Sequence, residues 1–220
     1  MDRQPRPAAC RTNRRRHALI CLPALSIGKW AHHSWLMRQR PIRGERALAD
    51  ASARLIVEYP QLTRIDFRQT LPCVGELPRA ACARLFRISA ALACSRSLRR
   101  VVTGADHLAF ARSVAPQLLR TIQQHARAGS DDLPLGAPLN FLDRHEMTAA
   151  GFALSLRGLG DGGEVQHTWL RLRMPRDVVE SAVRFHARDV SVDAARALLD
   201  DATRLMQSMH SPRPLRGESC

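Results

Sequence analysis

A chain of 220 residues that is 45% hydrophobic is long and apolar enough to bury a sizeable core in one domain, which excludes general disorder. Aromatic residues make up only 5%, so the core has to be built from Leu, Ala and Val, a composition that suits packed helices better than a β-sandwich. The formal net charge of +14 invites a nucleic-acid reading, but Lys29 is the only lysine, so 34 basic residues less that one leaves 33 arginines, spread along the chain as a coding bias would spread them.

Residues 1–16 carry six arginines and two prolines and read as a disordered basic leader. The apolar stretch "HALICLPALSIG" after it is interrupted by Pro23, and no small-residue cleavage site follows, so a secretory signal is not the expectation. No window reaches transmembrane length, which points to a cytoplasmic protein. Residues 18–27 predict a short helix leading into "WAHHSWL", residues 30–36, where two adjacent histidines sit between two of the chain's three tryptophans. Pro41 marks a break. Leu48, Ala51, Leu55 and Ile56 then share one face of a helix that stops before Pro60.

Residues 60–78 form a connector whose Leu62, Ile65 and Phe67 are expected against the core. Pro78 opens the next helix, in which Ala81, Cys82, Leu85, Phe86, Ile88 and Leu92 recur at helical spacing as far as about Val102. Arg96, Arg99 and Arg100 gather toward its C-terminal turn, where cations suit the helix dipole. Thr103-Gly104 separates a third helical run, residues 105–127, which Pro116 divides in two. Residues 128–138 are the clearest loop. "GFALSL", "GLGDGG" and "EVQHTWLRLRM" together predict one small β-hairpin, at about residues 151–173, because the second arm alternates with period two around a glycine turn. Ser191 caps a last helix in which Val192, Ala195, Leu199, Ala202, Met206 and Met209 alternate by three and four. The expected architecture is therefore mainly α: a single helical domain over residues 17–210 with one hairpin, a C-terminal helix, and a flexible tail over 211–220.

Catalytic and metal signatures are hard to find. "GLGDGG" fits the spacing of a dinucleotide loop, but that loop needs a helix immediately after it to face the pyrophosphate, and the alternation that follows predicts a strand instead. "HEMTA", residues 145–149, has Ala149 where the zinc motif has its second histidine. Cys10, Cys21, Cys73, Cys82, Cys94 and Cys220 have no zinc-ligand spacing, and Cys82 and Cys94 read as small hydrophobes of a helix. His32 and His33 are adjacent, whereas a helical metal pair needs spacing of three or four. No enzyme activity, cofactor or metal is expected. Three uses remain for "WAHHSWL": the tryptophans anchor the segment to the core, they dock a partner, since Trp is enriched at interface hot spots, or they stack nucleic-acid bases.

The order of parts resembles the SctK-type accessory proteins of bacterial type III secretion, in the version found in Hrp-type operons. "HHSWL" is similar to their His-Pro-Ser-Trp-like segment, with His33 where the family has proline. Residues 85–116 are similar to the Leu- and Arg-rich double helix at the family's centre, and residues 149–177 to its small hairpin with an "LRLRLP"-like strand. The similarity spans roughly residues 30–205. It implies a cytoplasmic adaptor of the sorting platform that connects the pod protein of the cytosolic ring to the cytosolic domain of the inner-membrane ring, peripheral to the membrane through its partners. On that reading Trp30, His32, Trp35 and Leu36 are the candidate protein contacts, with Arg96, Arg99 and Arg100 as an electrostatic addition. The alternative from another class is an Arg-rich helical nucleic-acid-binding regulator, which would use the same arginines.

Overall fold

The structure is a computed structural model that describes residues 27–36, 44–64, 77–99, 104–114, 116–124, 131–140, 143–160 and 163–208. The expected leader and tail, most of the 18–27 helix, Ile65, Phe67, Arg100 and Met209 lie outside these residues. The described elements are α1 (Ile27–Trp30), α2 (His33–Leu36), α3 (Glu45–Glu58), a 3-10 turn (Pro60–Arg64), α4 (Arg79–Ala93), α5 (Ser95–Leu98), α6 (Gly104–Val114), α7 (Pro116–Gln124), α8 (Arg144–Leu159), α9 (Glu164–Arg173), α10 (Arg176–Ala182), a second 3-10 turn (Ala187–Asp189) and α11 (Val192–Ser208). Among the described residues there is no strand.

The core is a three-helix contact of α4, α8 and α11, each packed on the other two, with α10 covering α8 from another side. Helix α8 is buried on nearly every face: Met147 through Ser155 form an unbroken buried run. That burial is possible because its residues toward α4 are small. A Cβ on Gly151 would land inside the carbonyl group of Phe86, so the two backbones meet directly there. Phe86 and Phe152 fill the space alongside, with ring centroids 5.9 Å apart in an edge-to-face arrangement. Ser89 and Ser155, both fully buried, return their hydroxyls to the carbonyls of Leu85 and Gly151, which leaves no polar group of theirs facing the apolar core.

The expected helix ends are largely where punctuation places them. Pro78 precedes α4, Pro116 starts α7 after α6 has ended, and Ser191 Oγ accepts from Ala194 N at the head of α11. Leu62 is buried, and the 131–140 segment has no helix. Ala195, Leu199, Ala202 and Met206 face the core as the spacing predicts, joined by Leu198. Helix α4 is shorter than expected. It breaks at Cys94, and α5 follows as a single turn. Both cysteines of this region are buried, and burial pushes the Cys94 thiol up to about 12, so it behaves as a hydrophobe.

The short α5 is held by a cap brought from a distance. Asp132 accepts from the backbone N–H of Arg96 at 2.9 Å and of Ser97 at 3.0 Å, and from the Ser97 hydroxyl. Asp131 pairs with the Arg96 guanidinium beside it. We expect Asp132→Ala to cost about 1–2 kcal/mol in a urea titration, whereas Asp131→Ala, which breaks an exposed pair, changes the midpoint little.

The hairpin expected at 151–173 is not present. Residues 151–159 complete α8, and residues 164–173 form α9. The glycines between them end one helix and begin another. Gly160 adopts φ 71° with an extended ψ of −178°, a backbone conformation open essentially to glycine, and Gly163 precedes the first residue of α9. The alternation of Leu170 and Leu172 with Arg171 and Arg173 is misleading because Arg173 is itself buried, its guanidinium lying over the Trp169 ring and donating to the Leu77 carbonyl. Trp169 and Arg173 are four residues apart, as are Thr168 and Leu172, and all four are buried, which is a helical pattern.

Candidate functional site

The segment that contains the two tryptophans is fastened to the junction between α9 and α10. Backbone N–H of His32 donates to Leu172 O at 2.7 Å, Trp35 Nε1 donates to Met174 O at 2.7 Å, and Arg176 N donates to Ser34 Oγ at 3.0 Å. Trp30 packs against Trp169, with centroids 6.1 Å apart, and the Arg176 guanidinium lies 5.6 Å from the Trp35 ring centre. The tryptophans do not share one helical face. Two separate single turns, α1 and α2, with Ala31 and His32 between them, bring both rings onto the same neighbouring element.

Anchoring does not bury these residues. Trp30, His32, Trp35 and Leu36 all stay partly exposed, and His33 is exposed. His32 Nδ1 lies 2.9 Å from Ser34 Oγ, and the rings of His32 and His33 are 4.0 Å apart. Among the described residues no group of three His, Cys, Asp or Glu side chains converges in a way that could hold a metal ion. Arg96 and Arg99 are exposed on and just after α5 and are not brought to the tryptophan segment; Arg96 is held by Asp131. Arg100 lies outside the described residues.

Beside His32 the fold opens a cleft of about 460 Å³. Its wall is contributed by four parts of the chain: His32; Arg79, Ala80, Ala83 and Arg87 from α4; Arg144, His145 and Thr148 from the head of α8; and Arg173, Met174, Pro175 and Val178 around the α9–α10 junction. Four guanidiniums and two imidazoles therefore line one concavity, and among the described residues the lining includes no carboxylate. Asp177 stands at the rim, 3.7 Å from His145 Nδ1 and mostly exposed. His145 Nε2 also lies 2.8 Å from Ser181 Oγ. This serine, histidine and aspartate are not assembled as a nucleophile: the His–Asp distance exceeds a hydrogen bond, and Ser181 is outside the cleft lining.

Burial dominates the ionisation of the lining, with neighbouring positive charge adding to it. Burial, reinforced by Arg144 and Arg84, pushes Arg87 down to about 10. Burial also lowers Arg173, against the pull of Cys82. His32 is held below its ordinary value by burial first, then by His33 and Arg79, with Asp177 acting in the opposite sense. A histidine lowered by folding stays neutral while the unfolded chain takes up a proton, so stability is lost as pH falls through about 6.5 toward the folded value. We expect a urea midpoint that declines between about pH 7.5 and about pH 5, with a shallower decline in His32→Gln.

Of this cleft only His32 was singled out from the sequence, and for a different reason. The cleft's residues are dispersed over nearly 150 positions, and the arginine excess conceals which four converge. Comparison of the chain with protein families, with curated proteins and with solved structures returned no match. Among the described residues no helix is long and apolar enough to cross a membrane.

Proposed function

We propose that the chain is a non-enzymatic cytoplasmic adaptor of a bacterial type III secretion system, bridging the pod protein of the cytosolic ring to the cytosolic domain of the inner-membrane ring. The identity of the partners rests on the resemblance of "HHSWL" and of residues 85–116 to the SctK-type family. The third stretch, residues 149–177, gives less support, because the hairpin it was matched to is helical here.

The observation that carries a docking role is the state of the tryptophan segment. Trp30, Trp35 and Leu36 are locked in place by core contacts and three hydrogen bonds, yet each keeps part of its apolar surface in solvent. A partly exposed Trp pair already held by core contacts has little conformational freedom left to lose on association, and Trp is among the residue types most enriched at interface hot spots. Anchoring and docking are compatible on this reading, since the contacts that fasten the rings leave part of each exposed.

Affinity purification from the native cell, with nuclease treatment, tests this. Recovery of a secretion-ring pod protein that is lost in a folded Trp35→Ala variant supports both the bridge and the docking patch. Recovery of nucleic acid alone before nuclease, and of nothing after it, contradicts the adaptor and favours the nucleic-acid-binding alternative.

A further inference from the structure

All three tryptophans of the chain sit where the 27–36 segment meets α9: Trp30 and Trp35 on the segment, Trp169 on the helix. One fastening of this segment runs through an imidazole. The Ser34 N–H donates to His32 Nδ1 at 3.2 Å. A backbone N–H can only donate, so this nitrogen is the acceptor, and the neutral ring carries its hydrogen on Nε2. The Ser34 hydroxyl lies 2.9 Å from the same Nδ1 and accepts from the backbone N–H of Arg176 at 3.0 Å. A chain of bonds thus runs from the head of α10 through the hydroxyl into the imidazole, with every donor pointing toward the ring. A proton on Nδ1 reverses this. It sets donor against donor at the Ser34 N–H and takes away the acceptor of the hydroxyl hydrogen.

Charged groups reach the ring from several elements. His33, its ring centre 4.0 Å away, and Arg79 from α4 oppose a positive charge on His32, and Asp177 from α10 favours one. The Arg176 guanidinium, also from α10, is turned to the Trp35 ring. Arg87 from α4, Arg144 and His145 from α8 and Arg173 from α9 line the same cleft as His32. Helix α3 packs on α1 and α2, but its charged side chains are not among those acting on the ring. We propose that the segment is a pH-operated latch: neutral His32 closes it on the α9–α10 junction, and a proton on His32 releases it, loosening the Trp30 and Trp35 docking surface in mild acid. What the latch regulates rests on the docking role proposed above, whereas its opening is a property of the chain alone. The sign follows from the closed geometry. Burial, then His33 and Arg79, hold His32 below its ordinary value while the segment is docked. Released, the ring returns to about 6.5, so the open form binds the proton more tightly and gains as pH falls through that value. For a single linked proton the ratio of open to closed rises by at most about tenfold per pH unit.

The test is tryptophan emission of the full chain, titrated from about pH 8 to about pH 5 without denaturant, with far-ultraviolet circular dichroism alongside. Because every tryptophan sits at the latch, emission reports on that contact. The expected result is a reversible shift to longer wavelength, with a midpoint below about pH 6.5 and no loss of helix signal. His32→Gln, which cannot titrate, should give a flat profile. His33→Gln, which removes an opposing charge, should move the midpoint to higher pH. Any of four results overturns the proposal: no shift in wild type, a shift that survives in His32→Gln, an unmoved midpoint in His33→Gln, or a loss of helix signal that accompanies the shift. No partner is needed for these readings. Failure of the pod-protein experiment therefore leaves the latch standing, and failure of the latch leaves the adaptor standing.

Discussion

Gly151→Ala is expected to destabilise the fold by about 3 kcal/mol or more, and to prevent folding if α4 cannot shift. In most helices the same change is favourable, because alanine has the higher helix propensity by about 1 kcal/mol. Here the added methyl would stand 2.7 Å from the Phe86 Cα and closer still to its carbonyl, and the obstacle is backbone, which cannot swing away like a side chain. Separating α4 from α8 by the needed distance would open voids around Phe86, Phe152 and Leu85, all fully buried. Gly158→Ala supplies the internal control. Its Cβ would meet Leu199 Cδ1 at 3.1 Å, the mobile end of a side chain, and the Arg196 N at 3.4 Å, so a change near zero is expected. Urea denaturation of the two variants side by side checks the pair, and equal effects would mean that the α4–α8 approach is not as close as described.

Trp169→Ala is expected to cost about 3–5 kcal/mol, the range for removing a large aromatic from a core. Its consequence should extend beyond stability. The Trp169 ring is the surface on which Trp30 rests and over which the Arg173 guanidinium lies, 5.2 Å from the ring centre. Losing it removes the support of the tryptophan segment and of one cleft arginine together. In hydrogen exchange we expect the 27–36 backbone to lose protection in the variant while the α4–α8 contact keeps most of its own. If protection falls uniformly, the segment is an integral part of the core rather than a patch seated upon it.

What the sequence made legible was whatever kept an amphipathic stripe or a proline boundary. Helices α3, α4 and α11 show one apolar face each, and Pro116 parts α6 from α7. Helix α8, the centre of the fold, was not recognised, since a helix buried on all sides has no polar face to set its period. One signal was available: Asp143 and Glu146 have capping-box spacing, and the Asp143 carboxylate does accept from His145 N and Glu146 N. Helix α9 was read as a strand because "EVQHTWLRLRM" alternates with period two after a glycine turn, whereas the buried residues, Thr168 with Leu172 and Trp169 with Arg173, repeat at a spacing of four. The tryptophan segment could be singled out by composition alone, but whether its rings were anchored or exposed depended on Met174 and Trp169, more than 130 residues away. The cleft depended on four parts of the chain, separated in sequence, coming together.

The most direct test of the adaptor reading is a binding titration of the purified chain with the purified pod protein of the same organism's secretion ring, using wild type and Trp35→Phe. Phenylalanine keeps the apolar ring and gives up the Nε1 bond to the Met174 carbonyl, so the patch stays in place but is less rigidly held. The account predicts a complex that Trp35→Phe weakens and that Arg96→Gln, a change at a residue already paired with Asp131, leaves nearly unaltered. Absence of any complex, with both proteins folded, would contradict it.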